Sequence, residues 1–368
     1  MSIILFIIVL AVLILSHEFG HFIVAKKSGI RVDEFGIGFP PRAWGKKIGE
    51  TIYSINWLPF GGFVKIFGEN NEEVATEEER KRSFISKPKI VQAAVIAAGI
   101  IFNLILAWII FSIVLTMGIP ASTSFVPAEK LESLELTVVG VAPDSPADKA
   151  GIEALDAIVY LRSSRDQITT NLTPELLQEF VRAHSQGPIT FGYKKAGGEG
   201  ILETQIIPQV GIYNDSPAIG VSMDLVGIFK VNILRAPYEG LLLTSRLTVA
   251  TLKGYAVIIR DIFIGQGREV LGVISGPVGI AGLVGDAASH GAVPVLILTA
   301  IISISLAIIN LIPFPALDGG RLLFLIIEAI KGSPIKPKVA MITNSVGFIL
   351  LILLLLIVTY SDIAKLIH

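Results

Sequence analysis

Four long apolar stretches constrain this chain more than any other feature: residues 2–25, 90–117, 292–314 and 339–359. Each is long enough to cross the roughly 30 Å hydrocarbon core of a bilayer as a helix. Backbone amides find no water at that depth, so such segments must be helices or strands of a closed barrel, and runs of this length predict helices. Composition agrees, with 52% hydrophobic residues, 17% charged residues and a mean hydropathy of +0.71. The chain therefore reads as a polytopic α-helical membrane protein with about four transmembrane helices in a lipid bilayer. The first stretch reads as a retained span rather than a signal peptide: Lys26 and Lys27 follow it, no basic residue precedes it, and no small-residue cleavage site is evident. A net charge of −1 gives no reason to expect a nucleic-acid partner. The absence of cysteine removes disulfides, thiolate metal sites and cysteine nucleophiles together.

Basic residues set the orientation. Segment 26–89 holds 12 Lys/Arg, including Arg80, Lys81, Arg82, Lys87 and Lys89, and the short loop 331–338 adds Lys331, Lys336 and Lys338. The positive-inside rule puts both on the cytoplasmic side, so segment 118–291 and both termini are expected outside. Between the first two spans, Thr51–Trp57 is β-rich, Pro59 interrupts it, Gly61 and Gly62 permit a turn, and Phe63–Phe67 reads as a second strand. These are expected to pair as a Tyr53–Phe67 hairpin; Phe35–Trp44 is similarly aromatic and unhelical.

The outer segment contains an α/β block at about 135–225. Strands are expected at Leu136–Val141, Ala157–Leu161, Ile189–Tyr193 and Thr204–Ile207, with a short capped helix at Ser145–Gly151 and a helix at Thr173–His184. Ala218–Val221 reads equally as a groove edge or a plain strand. Residues 238–265 are amphipathic, interspersed with Arg246, Lys253, Arg260 and Asp261, and read as a helix on the outer membrane surface. The division is thus a membrane part at 1–118, an extracytoplasmic domain at 119–230, a membrane-surface segment at 231–291 and a second membrane part at 292–368.

Chemistry enters with His17-Glu18-Phe19-Gly20-His21, an H-E-x-x-H pattern at the end of the first span. Residues four apart share one helix face, so both imidazoles can hold one Zn²⁺, with Glu18 placed to take a proton from its water. Two histidines leave zinc short of a third protein ligand. Within the membrane parts Asp318 is the leading candidate, in the run Asn310-Leu311-Ile312-Pro313-Phe314-Pro315-Ala316-Leu317-Asp318-Gly319-Gly320; Glu328 is a weaker one. Two prolines and two glycines open the backbone there, which membrane depth tolerates only beside a cavity or inside protein. The Tyr53–Phe67 hairpin offers an edge strand with which another extended segment can pair.

The paired motifs, H-E-F-G-H early and N-x-x-P-x-P-x-x-D-G-G late, resemble the site-2 protease family of intramembrane metalloproteases over essentially the whole chain. The outer block resembles a PDZ domain in the permuted bacterial arrangement, best at Ser145-Pro146-Ala147-x-x-Ala150-Gly151-Ile152, with Leu155-Asp156 standing where Gly-Asp is usual. A PDZ domain between the second and third of four spans is similar to the bacterial RseP-type branch, though with room for a single PDZ. The resemblance implies His17, His21 and Asp318 as zinc ligands and Glu18 as catalytic base. It implies a substrate-binding role for Asn310, Pro313 and Pro315, and a re-entrant β-hairpin whose Tyr53, Ile55, Phe63 and Phe67 contact substrate. Gly99-x-x-x-Asn103 matches the family's second-span signature and serves equally as a small-residue packing site. The implied activity is regulated intramembrane proteolysis of single-pass membrane proteins, such as anti-sigma factors or remnant signal peptides, pre-cut by another protease. The implied location is a bacterial cytoplasmic membrane with the site towards the cytoplasm. The PDZ block would read new C-termini or filter substrates by size at the site entrance. A non-catalytic membrane scaffold that recruits C-termini through the PDZ domain is the alternative function.

Overall fold

From Ile3 to Leu15, helix α1 (Ser2–Lys27) is apolar around its whole circumference, as a helix facing lipid must be. It stops at a Schellman cap. Gly29 adopts φ 66°, its N–H donates to the Lys26 carbonyl at 3.1 Å, and Ile30 N–H reaches Ala25 at 3.0 Å. The computed structural model describes residues 2–69, 76–124, 126–164, 166–195, 198, 200–210, 216–264 and 275–367.

After α1 come two long bent strands, β1 (Val32–Ile48) and β2 (Thr51–Ile66). From Glu34 to Ile37, β1 pairs with Lys65 back to Gly62 on one side and with Ile52 on to Ile55 on the other. Past a break in register, Arg42–Ile48 pairs with Asn56–Thr51. The sheet therefore has four segments, ordered 62–66, 32–37, 51–56 and 42–48. This corrects the expected hairpin: its two arms do not pair, because Val32–Ile37 lies between them. Side chains favour that neighbour. Thr51 Oγ1 donates to the Val32 carbonyl at 2.8 Å, Ser54 Oγ to Glu34 at 2.6 Å, and Asn56 Nδ2 to the Gly38 carbonyl at 3.1 Å. Phe22 of α1 packs against Phe35 and Tyr53, with ring centroids 5.3 and 6.0 Å apart, fixing the sheet to the helix.

Short helix α2 (Glu77–Lys81) leads to α3 (Lys89–Met117). Gly20 lets α1 and α3 touch: a Cβ there would lie 2.4 Å from the Ala98 carbonyl oxygen. Ser16 Oγ also donates to the Phe102 carbonyl at 3.1 Å, one of the side-chain bonds that hold helices together in lipid.

Contacts divide the chain into two units, residues 1–113 with 237–368, and residues 114–236. The second is β-rich: β3 (Ile119–Ser122), β4 (Leu131–Val141), α4 (Pro146–Lys149), β5 (Ala157–Arg162), β6 (Gln167–Ile168), α5 (Pro174–Ala183), β7 (Ile189–Lys194), β8 (Leu202–Ile206) and β9 (Val221–Phe229). Its antiparallel sheet runs β3-β9-β4-β5-β7-β8, with β6 on β5, and resembles a PDZ-like fold. Ser145 caps α4 by accepting from Asp148 N–H at 3.2 Å, and Thr173 caps α5 by accepting from Leu176 N–H at 3.2 Å. One stripe of α5, Leu177, Phe180 and Val181, is buried with Leu161, Ile189 and Phe191 of the sheet. The sequence reading missed β3 and β9. Ala218 forms a lone bridge with Gln209, and Val221 opens β9 between β3 and β4.

The chain returns through α6 (Ala236–Phe263), α7 (Pro277–Ser289), α8 (Ala292–Leu311), α9 (Asp318–Lys331) and α10 (Pro337–Ile367). By length and composition α6 qualifies as a fifth candidate span beside α1, α3, α8 and α10, where four spans were expected. Its Arg246, Lys253 and Arg260 recur every seven residues and so share one stripe. Asp362 of α10 is buried and accepts from Gly276 and Gly279 N–H at 3.2 and 2.8 Å, so that a side chain of one helix caps the start of α7.

Candidate metal centre

Asp318 reaches the two histidines because the backbone breaks beneath it. α8 ends at Leu311, residues 312–317 are irregular with Ala316 at φ 73°, and α9 begins at Asp318. Gly319 and Gly320 make the fold-back possible: a Cβ on either would lie 2.2 Å from the carbonyl oxygen of Ile312 or Phe314. α10 supports the break from behind, with Gly347 against Pro315 and Asn344 Oδ1 accepting from Ala316 N–H at 3.3 Å.

Asp318 Oδ2 lies 3.0 Å from His17 Nε2 and 3.3 Å from His21 Nε2, and the two nitrogens are 3.1 Å apart. His21 Nδ1 sits 2.8 Å from the Val95 carbonyl. A carbonyl only accepts, so Nδ1 carries that proton and, in the neutral ring, Nε2 turns a lone pair inward. The carboxylate oxygen and the two imidazole nitrogens thus converge on one point, an arrangement that can hold a cation at its centre. With bonds of about 2.0–2.1 Å, tetrahedral zinc donors lie roughly 3.3–3.4 Å apart, close to the observed spacing. These three form the one His/Cys/Asp/Glu group with metal-binding geometry among the described residues. Gly99 of α3 completes the cradle, since a Cβ there would stand 2.5 Å from His21 Nε2 and 2.6 Å from His17 Cε1.

A cavity of about 230 Å³ opens on this cluster, lined by His17, Glu18, His21 and Asp318 and also by Asn310, Val64, Ile66, Glu69 and Arg321. Glu18 therefore shares the cavity with the three donors. The other predicted contacts lie apart from it. Pro315 packs on Gly347, and Pro313 is exposed in the break. Tyr53 packs on Phe22, Ile55 is exposed two segments away, and Phe67 lies under the Arg31 guanidinium at 3.8 Å. Phe63 packs over Gly36. Strand alternation explains the shift: Val64 and Ile66 occupy one face, Phe63 the other. Glu328, the alternative ligand, is engaged elsewhere, pairing with Lys89 and accepting from Ile335 N–H at 2.8 Å. Glu69 and Arg321 carried no motif and were missed; the charge on Arg321 one helical turn past Asp318 was the available signal.

A polytopic helical membrane region holding a largely enclosed His-His-Asp group is consistent with a metal-binding site of intramembrane-protease type. The model of peptidase family M50 matches residues 5–354, and the chain belongs to that family. It is 35% identical to a candidate zinc metalloprotease of Clostridium perfringens over 364 residues, covering 99% of this chain and 98% of the relative. It is 29% identical to the zinc metalloprotease RasP of Geobacillus kaustophilus over an alignment of 443 positions, covering 99% and 98%. A candidate zinc metalloprotease of Nostoc is 31% identical over 356 residues, covering 96% and 93%.

Proposed function

We propose that this chain is a zinc-dependent intramembrane endopeptidase of the RseP type, which cleaves single-pass membrane proteins already trimmed by another protease. The observation that carries the reading is the convergence of His17 Nε2, His21 Nε2 and Asp318 Oδ2 within 3.0–3.3 Å of one another beside Glu18. His17, His21 and Asp318 would hold the zinc, which would supply a more acidic water and polarise the scissile carbonyl. Beside that site the Glu18 carboxylate would accept a proton from the attacking water and deliver it to the departing amide nitrogen. His21 is held in its ligating tautomer by the Val95 carbonyl. Asn310 holds the substrate backbone from the same cavity. The sheet margin at 63–66, rather than the expected hairpin, pairs with the unwound substrate, because its Val64 and Ile66 line the cavity. The 114–236 unit is the extracytoplasmic PDZ element, and the basic 26–89 segment faces the cytoplasm of a bacterium.

The test is zinc analysis of purified protein together with cleavage of a model transmembrane substrate by wild type and Glu18→Gln. Loss of a general base costs roughly 10²–10⁴-fold in rate, and zinc content should not change. Full activity in Glu18→Gln rejects the mechanism. Cleavage by zinc-free enzyme rejects the class. A zinc-loaded protein that cleaves nothing but binds C-terminal peptides favours the scaffold.

A further inference from the structure

We propose that the Glu69–Arg321 ion pair is the register stop of the cleavage groove: it fixes which peptide bond of a docked strand lies over the metal site. The inference rests on the protease reading and adds to it two residues that carry none of the metal or proton chemistry.

Arg321 Nη2 bonds Glu69 Oε1, and both side chains line the cavity that holds the histidines and Asp318. Each partner belongs to an element with a different task. Arg321 stands one turn after the ligand Asp318 on α9, so its position follows that of the metal site. Glu69 follows Val64 and Ile66, the cavity-lining residues of the sheet margin, so its position follows that of a docked peptide. The turn between them is pinned. Phe67 N–H donates to the Arg31 carbonyl at 2.9 Å, Phe84 N–H donates to the Phe67 carbonyl at 2.9 Å, and Gly68 takes φ 72° against Ser83. Glu69 N–H then closes onto the Ile66 carbonyl at 3.3 Å. This turn directs the Glu69 carboxylate back into the cavity rather than onward along the strand.

The pair is thus a side-chain tie between the strand that would hold substrate and the helix that carries a metal ligand. Such a tie matters because strand pairing is periodic. A peptide added to a strand can slide by two residues and present the same faces, so hydrogen bonds alone do not choose among registers. A charged pair across the groove end removes that freedom in two ways. It closes the path along which the peptide would slide, and it holds the strand at one offset from Asp318. Arg321 and Glu69 are positioning residues on this account.

The experiment reads the cut site, which a merely structural role leaves alone. Zinc-loaded full-length wild type, Glu69→Gln, Arg321→Gln, Arg321→Lys and the exchange Glu69→Arg with Arg321→Glu are incubated in nanodiscs with one synthetic transmembrane peptide carrying a central Gly-Pro break. Products are identified by mass spectrometry and zinc is counted per chain. Wild type should cut one bond. Glu69→Gln and Arg321→Gln should keep one zinc per chain but divide cleavage between that bond and bonds two residues away, with at least a tenth of product at the displaced sites. Arg321→Lys and the exchange should restore the single site. Uniform slowing at the original bond in both Gln variants overturns the proposal. So does loss of zinc in them, which makes the pair a support of the metal site. If wild type binds zinc yet cuts no peptide, the protease reading itself fails, and that result is distinct from either outcome.

Discussion

The two units treat buried polarity in opposite ways. Among the described residues of the 114–236 unit the buried polar side chains have hydrogen-bond partners. Ser145 accepts from Asp148 N–H, and Asp156 accepts from Glu153 N–H at 2.9 Å and pairs with Lys195 at 3.4 Å. The buried side-chain atoms lacking a hydrogen-bond partner among the described residues are His17 Nδ1, Ser83 Oγ, Asn103 Oδ1 and Asp318 Oδ2, all in the membrane unit. Of these four, Asp318 Oδ2 faces the two histidines, while His17 Nδ1 is the ring nitrogen not in contact with the cluster. An unmet buried polar atom costs about 1–3 kcal/mol, and more if charged, in a setting where helices already lack water to fall back on. The contrast separates a unit whose buried polar side chains pair with one another from one that leaves a carboxylate oxygen unmet at the His-His-Asp cluster.

Breaking the packed unit tests one side of this comparison with the largest effect. Phe191 is fully buried in its core, so Phe191→Ala should destabilise that unit by roughly 3–5 kcal/mol. Zinc content should not move. Differential scanning calorimetry with metal analysis checks both, and loss of zinc in this variant means the units are not independent in the way the contrast assumes. On the other side, Gly99→Ala puts a methyl group against both imidazoles and should weaken metal binding by roughly 10–100-fold, the range seen when ligand supports are lost. Chelator competition reads this directly; unchanged affinity implies that α3 yields and the cradle is not tight.

Smaller changes sharpen the picture within the packed unit. Leu155 holds φ 74°, a left-handed conformation costing about 1–2 kcal/mol for a side-chain-bearing residue, at the position where the resemblance leads one to expect glycine. Leu155→Gly relieves this but loosens the unfolded chain, for a net gain of roughly 0.5 kcal/mol, measurable as a higher Tm. Least of all should be the acid response of Asp224. Its partial burial acts to raise its pKa, but hydrogen bonds from Ser122, Ser124, Leu225 N–H and Thr123 outweigh that and hold it below the ordinary carboxylate value. A lowered folded pKa gives stability that is present above the unfolded value and lost as pH falls through the folded one. Removing Ser124 should flatten that low-pH loss in an acid titration of unfolding.

What could be read from the sequence follows the same divide. Capping residues and alternation located α4, α5, β5 and β7 to within a residue or two, because Ser145, Thr173 and the apolar face of α5 act locally. The His17/His21 spacing and the break made by Pro313 and Pro315 before Asp318 and Gly319-Gly320 after it pointed to the His-His-Asp cluster for the same reason: both are local signals of an expensive arrangement. Three things were not legible. β9 was not read beyond Val221, although Val221-Ser222-Met223-Asp224-Leu225 alternates apolar and polar residues; what no local pattern encodes is its place between β3 and β4. The sheet after α1 was misread because Val32–Ile37 inserts between strands that are sequence neighbours, and nothing local encodes that non-adjacent pairing. Glu69 and Arg321 meet across the cavity from 252 positions apart, and neither belongs to a spaced motif.

The most direct measurement is zinc K-edge X-ray absorption on the purified full-length protein, wild type beside Asp318→Asn. The account expects one zinc per chain in wild type, with imidazole scattering from two histidines and oxygen donors at about 2.0–2.1 Å. It also expects that ligand set to change, or the metal to be lost, in the variant. A wild-type spectrum with no histidine contribution, or one identical in Asp318→Asn, contradicts it.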